Sequence, residues 1–439
     1  MSQRSFFRDI AGVFSSNIMA MMGILLISVV LGRILKPEGY GVFTAIFVIP
    51  QIVLGIIQLG MGRSAVFHLG QKLFSDDRTV SSILFILICT SVFGVLASSA
   101  TYAIIDNPNY KLIDIAIILM GVPLMLANIY MGGIFIGKEK IRLYNIMHWL
   151  PVLINLGFIL VIVWGFGLGV TGALLAMLLA TLIVFIYALR IIRRSFTIRL
   201  RFDKEAIKSL AGLGSVYALT YWMLYLNYKV DVLILSQMLP HQMAEVGYYN
   251  LGVSITEQLW ILPYAVGVVV MSRTANSKDT QRTVETTAQL LRFLVPIGIM
   301  AALVLFLVAP LAIPIVWGQA YEPSISIVQS ILPGIIIFIV FRVLESHFAG
   351  MGKPWITVLI LFPAVILNIL LNLLWIPIYG TLGSVWATNI SYTLSTIVCV
   401  GVFCHITGAR VVNLFILNRT DIKLMVEFVR KKWKSRNNS

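Results

Sequence analysis

The stretch from position 190 to 208 reads RIIRRSFTIRLRFDKEAIK and carries seven lysines and arginines. Long apolar runs lie on both sides of it, in a chain of 439 residues that is 59% hydrophobic and 12% charged. The mean hydropathy is +0.94. Soluble globular proteins have about 45–50% apolar and about 25% charged residues. The composition therefore predicts a polytopic membrane protein in which this basic stretch is the longest polar connection.

The apolar runs have the length of membrane-spanning helices. A helix needs about 20 apolar residues to cross the hydrocarbon core, and an open sheet cannot cross because its edges would stay unpaired in lipid. An all-α chain of about twelve spans follows, six on each side of the basic stretch. The predicted spans are 10–31, 42–66, 81–104, 112–136, 145–165, 168–189, 209–236, 247–270, 286–314, 324–350, 355–376 and 382–405.

The distribution of positive charge predicts the orientation. With the N-terminus in the cytoplasm, 26 of the lysines and arginines fall on the cytoplasmic side, 3 outside (Arg33, Lys36, Lys111) and 4 within spans. Because cytoplasmic loops are enriched in Lys and Arg, both termini are predicted to lie inside a multi-pass cytoplasmic (inner) membrane protein. The net charge of +15 then needs no nucleic-acid partner, although the basic stretch and tail could also attract anionic lipid or substrate head groups.

Motifs for cofactors or catalysis are missing from the sequence. Cys89, Cys399 and Cys404 lie in apolar segments without metal-ligand spacing, so no metal or cofactor is expected. There is no DxD pair, HExxH, GxSxG or P-loop. We therefore expect a protein that is not an enzyme.

The two halves of the chain share local patterns. GKEKIRLYNIMHWLPVLINLGF (137–158) parallels GKPWITVLILFPAVILNILLNL (352–373), and VTGALLA (170–176) parallels TLGSVWA (381–387). Because each half has an even number of helices, six, both halves have the same orientation in the membrane. The axis that relates the two halves then runs along the membrane normal. The predicted organisation is two pseudo-symmetric six-helix lobes, with a linker and a tail: 1–195, linker 196–208, 209–405 and basic tail 406–439.

Three stretches resemble a known family. They are LGRILKPEGYGVFTA (31–45), the segment 230–273 that starts VDVLILSQMLP, and the segment 348–388 that starts FAGMGKPWITV. In them the chain resembles the lipid-linked oligosaccharide flippases, the O-antigen and capsular repeat-unit exporters of the multidrug/oligosaccharidyl-lipid/polysaccharide exporter superfamily. The resemblance covers essentially the whole chain, and its motifs are turns and apolar helices rather than catalytic signatures.

The resemblance implies a fold and an activity. The fold would be twelve helices in two lobes around a hydrophilic central cavity. The activity would be moving an undecaprenyl-pyrophosphate-linked repeat unit from the inner to the outer leaflet by alternating access. The partners would be this lipid-linked oligosaccharide, membrane lipid, and possible polymerase and glycosyltransferase proteins of polysaccharide synthesis.

Span seven contains two charges in the stretch YLNYKVDVLIL (225–235). An intramembrane charge facing lipid costs at least roughly 2.5–3.5 kcal/mol, so such residues face the protein or a wet cavity. Asn227 and Asp231 share a helix face because they are four apart, whereas Lys229 lies roughly opposite, with Tyr225 four residues back. In one interpretation Lys229 snorkels and Asp231 pairs with another helix. In the other, Lys229 faces an anionic substrate group and Asp231 positions it or titrates.

Other charged residues complete the predicted substrate-binding set. Arg63 lies near the inner end of span two and either reaches the cytoplasm or faces a cavity. Glu257 is about ten residues into span eight and either has a cavity or proton-linked role or packs within the protein, and Arg33 lies at the outer end of span one. An aromatic and polar set of span seven suits sugar binding or simple helix packing: Tyr217, Tyr221, Trp222, Tyr225, Asn227 and Tyr228.

Four further residues are assigned a structural or coupling role. Arg342 and Glu345 are three apart and can pair on one helix face, with His347 nearby. Arg292, early in span nine, is predicted to be an interfacial anchor.

Two other functions compete with the flippase. An ion-coupled multidrug or organic-cation antiporter of the same superfamily would favour carboxylates in its cavity, whereas the intramembrane set here is mixed. A membrane-embedded polymerase or glycosyltransferase would need a catalytic constellation and a sizeable loop outside the membrane. No predicted outer loop is much longer than ten residues.

Overall fold

The computed structural model describes residues 3–198, 202–277 and 279–416, and describes side chains from residue 15 onwards except at Asn276. Most of the predicted basic tail, and positions 199–201 of the predicted linker, therefore lie outside the described residues. Within the described ranges the regular elements are all helices. This confirms the all-α class.

The helices follow one another through short connections. Three short segments interrupt or link them with other geometry: a π-helix at Ile159–Gly165 and 3₁₀ turns at Gln258–Trp260 and Gln319–Tyr321. The helices are α1 (Gln3–Ile57), α2 (Met61–Gln71), α3 (Asp76–Ile104), α4 (Leu112–Gly137), α5 (Ile141–Phe158), α6 (Gly169–Ser195), α7 (Lys204–Met238), α8 (Met243–Glu257), α9 (Ile261–Asn276), α10 (Thr280–Val316), α11 (Ser324–Gly350), α12 (Trp355–Tyr379), α13 (Thr381–Thr407) and α14 (Val411–Phe415).

The helices match the predicted spans. Over the described residues, 10 helical segments are long and apolar enough to cross a membrane. One of them, Ser15–Gln71, contains the second predicted span and the first from residue 15 onwards. The predicted seventh span is α7, which is not among the 10 segments and carries the polar run around Lys229 and Asp231. The chain is therefore a multi-pass membrane protein with about twelve spans.

A kink at Lys36 separates the first two spans within α1. Lys36 has φ 58° and ψ 175°, which is not helical, and Pro37 follows it. Proline disfavours helical geometry in the residue before it, and its own fixed φ suits the first position of a new helix. The turn therefore begins the second span where the sequence predicts an outer loop.

A second break divides the span 42–66, which the sequence predicts to be continuous. Leu59 and Gly60 have φ of 49° and 53°, and they separate α1 from α2. A Cβ on Gly60 would lie 2.2 Å from the Gly214 carbonyl oxygen on α7, and a Cβ on Gly214 would lie 2.1 Å from the Leu59 carbonyl oxygen. The left-handed turn and the close backbone approach both require glycine here.

Contacts between residues divide the chain into two compact units. The first comprises Met1–Gly252, Pro310–Ile327 and Ile369–Ser384, and the second comprises Val253–Ala309, Val328–Asn368 and Val385–Ser439. The boundaries predicted for the two lobes, the linker and the tail stay a prediction.

Helix packing in the first unit centres on α1 and α4. Helix α1 packs against α5 and α7, and α4 packs against α2, α3 and α6. The hydrophobic core where α2 meets α4 includes Met61, Leu126 and Tyr130, which are fully buried. Tyr130 is satisfied there by a hydrogen bond of 3.1 Å with the Thr90 hydroxyl. This packing positions α2, α4, α5 and α7 around the cavity described below.

Trp260 anchors the second unit at the end of its 3₁₀ turn. Its indole Nε1 donates to the Ile335 carbonyl at 3.2 Å. Phe338 packs between Trp260 and Tyr392, with ring centroids 5.4 and 4.4 Å away. The turn after Glu257 is therefore held by aromatic packing against α11 and α13.

Contacts within the first unit join loops that the charge count places on one side of the membrane. The Asn107 amide donates to the Ser236 carbonyl at 2.8 Å, joining a predicted outer loop to the outer end of the predicted seventh span. The Thr381 hydroxyl donates to Glu245 at 3.2 Å, joining another predicted outer loop to the loop that follows that span. These contacts are consistent with the predicted assignment of loops to sides.

The C-terminal part of the basic stretch is attached to the first turn of α3. The Arg78 guanidinium forms ion pairs with Asp203, and with Glu205 at 2.7 Å. The backbone N–H of Thr197 donates to Asp77 at 3.1 Å. The Asp203 carboxylate also accepts from the Ala206 N–H at 3.1 Å, capping α7. The connection between the chain halves is thus held to the first unit.

Acidification is expected to weaken this attachment. The Arg78 guanidinium, with the backbone N–H of Ala206, lowers the pKa of Asp203 from 3.8 to about 2. A carboxyl group whose pKa is lower in the folded state than in the unfolded state stabilises the fold fully at pH values above its unfolded-state pKa. This stabilisation is lost as the pH falls towards its folded-state pKa. Between pH 5 and pH 2, we expect amide exchange in 202–208, corrected for intrinsic rates, to increase a few-fold. Asp203→Asn should remove this pH dependence, and an unchanged dependence in that variant would contradict the assignment.

Candidate functional site

A cavity of about 340 Å³ lies within the first unit. It is bordered by the break between α1 and α2 and by α4, α5 and α7. Its polar lining side chains are Gln58, Arg63, Asn128, Tyr144, His148 and Tyr221. Among the described residues that line it, none is acidic. These residues belong to the halves of their spans that the charge count predicts to be cytoplasmic, so the cavity is predicted to open towards the cytoplasm.

Arg63 provides the positive charge of the cavity. It lies in the first turn of α2, which begins directly after the left-handed Gly60. The guanidinium carbon is 5.2 Å from the ring centroid of Tyr217 and 4.9 Å from that of Tyr221, one turn apart on α7. Aromatic faces attract cations, so the two rings hold the guanidinium in place.

The break in span two adds to this positive potential. A helix N-terminus carries unsatisfied N–H groups and a partial positive charge. Gly60 and Gly62 at the start of α2 line the same cavity as Arg63, and no described side chain caps this helix start. A guanidinium presents five donors in a planar fork that matches phosphate oxygens. The cavity can therefore bind an anionic group, and phosphate in particular.

Asp231 of span seven occupies a different environment. It is 1% exposed, and its carboxylate accepts from the Tyr249 hydroxyl at 2.8 Å and from the Asn372 amide at 3.1 Å. These partners lie on α8 and α12. Asp231 thus joins three helices of the first unit, as in the interpretation in which it pairs with other helices.

The neighbours of Asp231 do not line the cavity around Arg63. Asn227 is fully buried, while Lys229 and Tyr225 are half-buried. Glu257 is half-buried at the end of α8, in the second unit. The predicted roles of these four residues in substrate binding stay predictions.

Arg33 binds the end of another helix. Its guanidinium donates to the carbonyl of Val316 at 2.8 Å and to that of Ile315. These are the last carbonyls of α10, which have no partner within the helix. Nearby, the Tyr321 hydroxyl donates to the Gly32 carbonyl at 3.2 Å. Arg33 therefore caps α10, and its predicted contact with substrate stays a prediction.

Two of the four residues predicted to have a structural or coupling role, Arg292 and His347, have clear hydrogen-bonding partners. Arg292 is 2% exposed and forms an ion pair with Glu285 at 2.7 Å, while it also donates to the Asn413 carbonyl. The His347 ring is fully buried, with Nδ1 2.9 Å from the Thr287 hydroxyl. Both arrangements fit packing within the second unit.

Arg342 and Glu345 remain a predicted pair. The Arg342 guanidinium carbon lies 5.4 Å from the ring centroid of Trp260. This contact places Arg342 against the 3₁₀ turn that follows Glu257. Both Arg342 and Glu345 are half-buried.

Sequence reasoning missed part of the cavity lining. Gln58, Asn128, Tyr144 and His148 were not singled out. Tyr144 and His148 are four apart in the quoted stretch 137–158, and this spacing places them on one helix face. The signal was therefore present, although nothing in the sequence shows that this face meets Arg63 of α2.

Comparisons with known proteins show the family and the fold of the chain. A family model described as "Polysaccharide biosynthesis protein" matches residues 6–272, more than half of the chain. A comparison with curated proteins finds no significant match.

Several solved transporters have a similar fold. An inward-facing MATE-family multidrug resistance transporter of the MOP superfamily has a TM-score of 0.66 at 14% identity, covering 88% of this chain and 98% of its own. The MATE multidrug transporter DinF-BH, solved as a complex, has a TM-score of 0.66 at 17% identity, covering 93% and 97%. A MOP superfamily transporter from Pyrococcus furiosus has a TM-score of 0.57 at 14% identity, covering 91% and 96%. At these identities the likeness shows the fold alone.

Proposed function

The chain belongs to the polysaccharide biosynthesis protein family, and we propose that it is a transporter that flips a lipid-linked oligosaccharide across the cytoplasmic membrane. The cargo would be an undecaprenyl-pyrophosphate-linked repeat unit for a surface polysaccharide such as O-antigen or capsule. The observation that carries the proposal is a cavity within a transporter-like fold whose charged lining residue is Arg63.

The chemistry of the cargo fits this cavity. A pyrophosphate binds well to an arginine, because the planar guanidinium matches its phosphate oxygens. Sugar hydroxyls can bond to the amides of Gln58 and Asn128 in the same lining. The polyprenyl tail can stay in the bilayer, so only the head group needs the cavity.

The contacts of the first unit suit loading from the cytoplasmic side. The cavity lies in the cytoplasmic halves of the predicted spans, whereas Arg33 and Tyr321 join the predicted outer ends. In an alternating-access cycle the outer contacts open when the cargo is released. Both termini would lie in the cytoplasm, where glycosyltransferases assemble the cargo, and a polymerase would use it outside.

The rival function is export of organic cations, which is suggested by the multidrug transporters of similar fold. A cationic cargo would favour acidic groups in the binding cavity, and the described lining around Arg63 has none. The charge of the cavity therefore favours an anionic cargo.

Reconstitution into proteoliposomes tests the proposed function. The assay would measure transfer of a fluorescent undecaprenyl-pyrophosphate oligosaccharide between leaflets, with export of a cationic dye measured in parallel. We expect transfer of the lipid-linked oligosaccharide and no dye export. Dye export without oligosaccharide transfer would replace this proposal with the cation antiporter.

A further inference from the structure

Two stacked aromatic rings form part of the cavity wall beside Arg63. Tyr144 and His148 both line the cavity and lie one turn apart on α5. Their ring centroids are 6.1 Å apart with an angle of 9° between the planes. Both rings therefore contribute to the aromatic part of the cavity wall.

The packing of α4 against α5 fixes this aromatic surface. A Cβ added to Gly132 of α4 would lie 3.6 Å from Cδ2 of Tyr144, so the tyrosine ring packs close to the glycine backbone. Gly132 and Gly133 line the same cavity. At Gly133 the missing side chain lets the α2 backbone approach at Gly62, whereas at Gly132 it leaves room beside the Tyr144 ring.

The residues that line this cavity can bind three kinds of chemical group. Arg63 can bind an anion, the amides of Gln58 and Asn128 can bond to hydroxyls, and the rings offer a flat apolar face. A pyranose has one face of C–H groups, and the electron-rich face of an aromatic ring attracts such positively polarised edges. The ligand that uses all three is a sugar bonded directly to a phosphate group.

The size of the cavity limits how much of the head group it can hold. Its volume of about 340 Å³ is at the low end of the range of about 300–1,000 Å³ for small-molecule sites. One phosphorylated sugar ring suits this volume better than a complete repeat unit does. Later sugars of the repeat unit would then extend beyond this cavity.

Granted the function proposed above, we propose that Tyr144 and His148 bind the sugar that is attached directly to the pyrophosphate. The two residues then determine specificity for the first sugar, whereas Arg63 binds the anionic group whatever sugar it carries. Selection among cargoes would act mainly on the first sugar.

The test compares two soluble probes binding to the purified full chain. One is a short-chain prenyl pyrophosphate carrying a single hexose, and the other is the same prenyl pyrophosphate without sugar. In the wild type we expect the hexose to tighten binding about tenfold. In Tyr144→Ala and in His148→Ala this difference between the probes should shrink to about twofold or less, whereas Tyr144→Phe should keep it.

Each outcome has a separate meaning. Equal weakening of both probes by Tyr144→Ala and His148→Ala, with the hexose preference intact, would overturn the sugar-binding role. A wild type that binds both probes equally through Arg63 would also overturn it, while leaving the proposed function standing. A wild type that binds neither probe would count against the proposed function itself. The thermal unfolding midpoint of each variant shows whether a loss comes from misfolding.

Discussion

Replacing Arg63 with alanine is expected to slow transfer of a lipid-linked oligosaccharide about 100-fold. Hydrogen bonds to charged groups contribute about 1.5–3 kcal/mol, and every 1.4 kcal/mol is a factor of about ten. Arg63→Lys keeps the charge but loses the planar fork that matches phosphate oxygens. We therefore expect an intermediate loss of about tenfold, measured as leaflet transfer in proteoliposomes.

Arg142 provides the matched control. It is an exposed arginine in the first turn of α5 and does not line the cavity. Arg142→Ala removes the same charge from the same side of the protein, and it should leave transfer within about twofold of wild type. Equal losses in Arg63→Ala and Arg142→Ala would mean that net positive charge, rather than a site at Arg63, drives binding.

Replacing Asp231 with alanine is expected to destabilise the fold rather than act on the cargo. The substitution removes the acceptor of the bonds from the Tyr249 hydroxyl and the Asn372 amide, all within the buried interior. Leaving a buried donor without its acceptor costs about 1–3 kcal/mol for each group. We expect a loss of about 2–6 kcal/mol, seen as a lower thermal unfolding midpoint of the purified protein in detergent.

Asp231→Asn separates the two roles that the sequence left open for this residue. Its amide oxygen can still accept one bond, and the Tyr249 hydroxyl can rotate to accept from the new amide. We expect a midpoint close to wild type and transfer at half the wild-type rate or more. A variant with the wild-type midpoint but no transfer would show that the carboxylate charge acts in the transport cycle.

Sequence reasoning could predict the spans but not their interruption. Length and hydropathy are local properties, so twelve apolar runs indicate helices directly. The break at Leu59 and Gly60 depends on how closely the backbone of α7 approaches at Gly214. The sequence QLGMGR contains two glycines, but glycine is common inside membrane helices. Only the packing shows that one of them ends a helix.

The charged residues of the site could be predicted from the sequence, but the residues that contact them could not. Arg63 and Asp231 were both identified because an intramembrane charge needs a reason. Which of them faces a cavity depends on contacts between helices distant in the sequence. Arg63 meets Tyr217 and Tyr221 of α7, while Asp231 meets α8 and α12. Hydrophobic periodicity gives no information on such pairings, and for the same reason Tyr144 and His148 were missed.

The most direct test of the central claim is to locate the head group by photocrosslinking. A photoreactive amino acid would replace Ile129, which lines the cavity and is 37% exposed, or Ile183 on α6, which is 43% exposed and does not line the cavity. The probe is a lipid-linked oligosaccharide labelled in its sugars. We predict label on the protein with the photoreactive group at 129 and little at 183, and loss of that label in Arg63→Ala. Equal labelling at both positions, or labelling at 129 that persists without Arg63, would contradict a binding site for the anionic head group in this cavity.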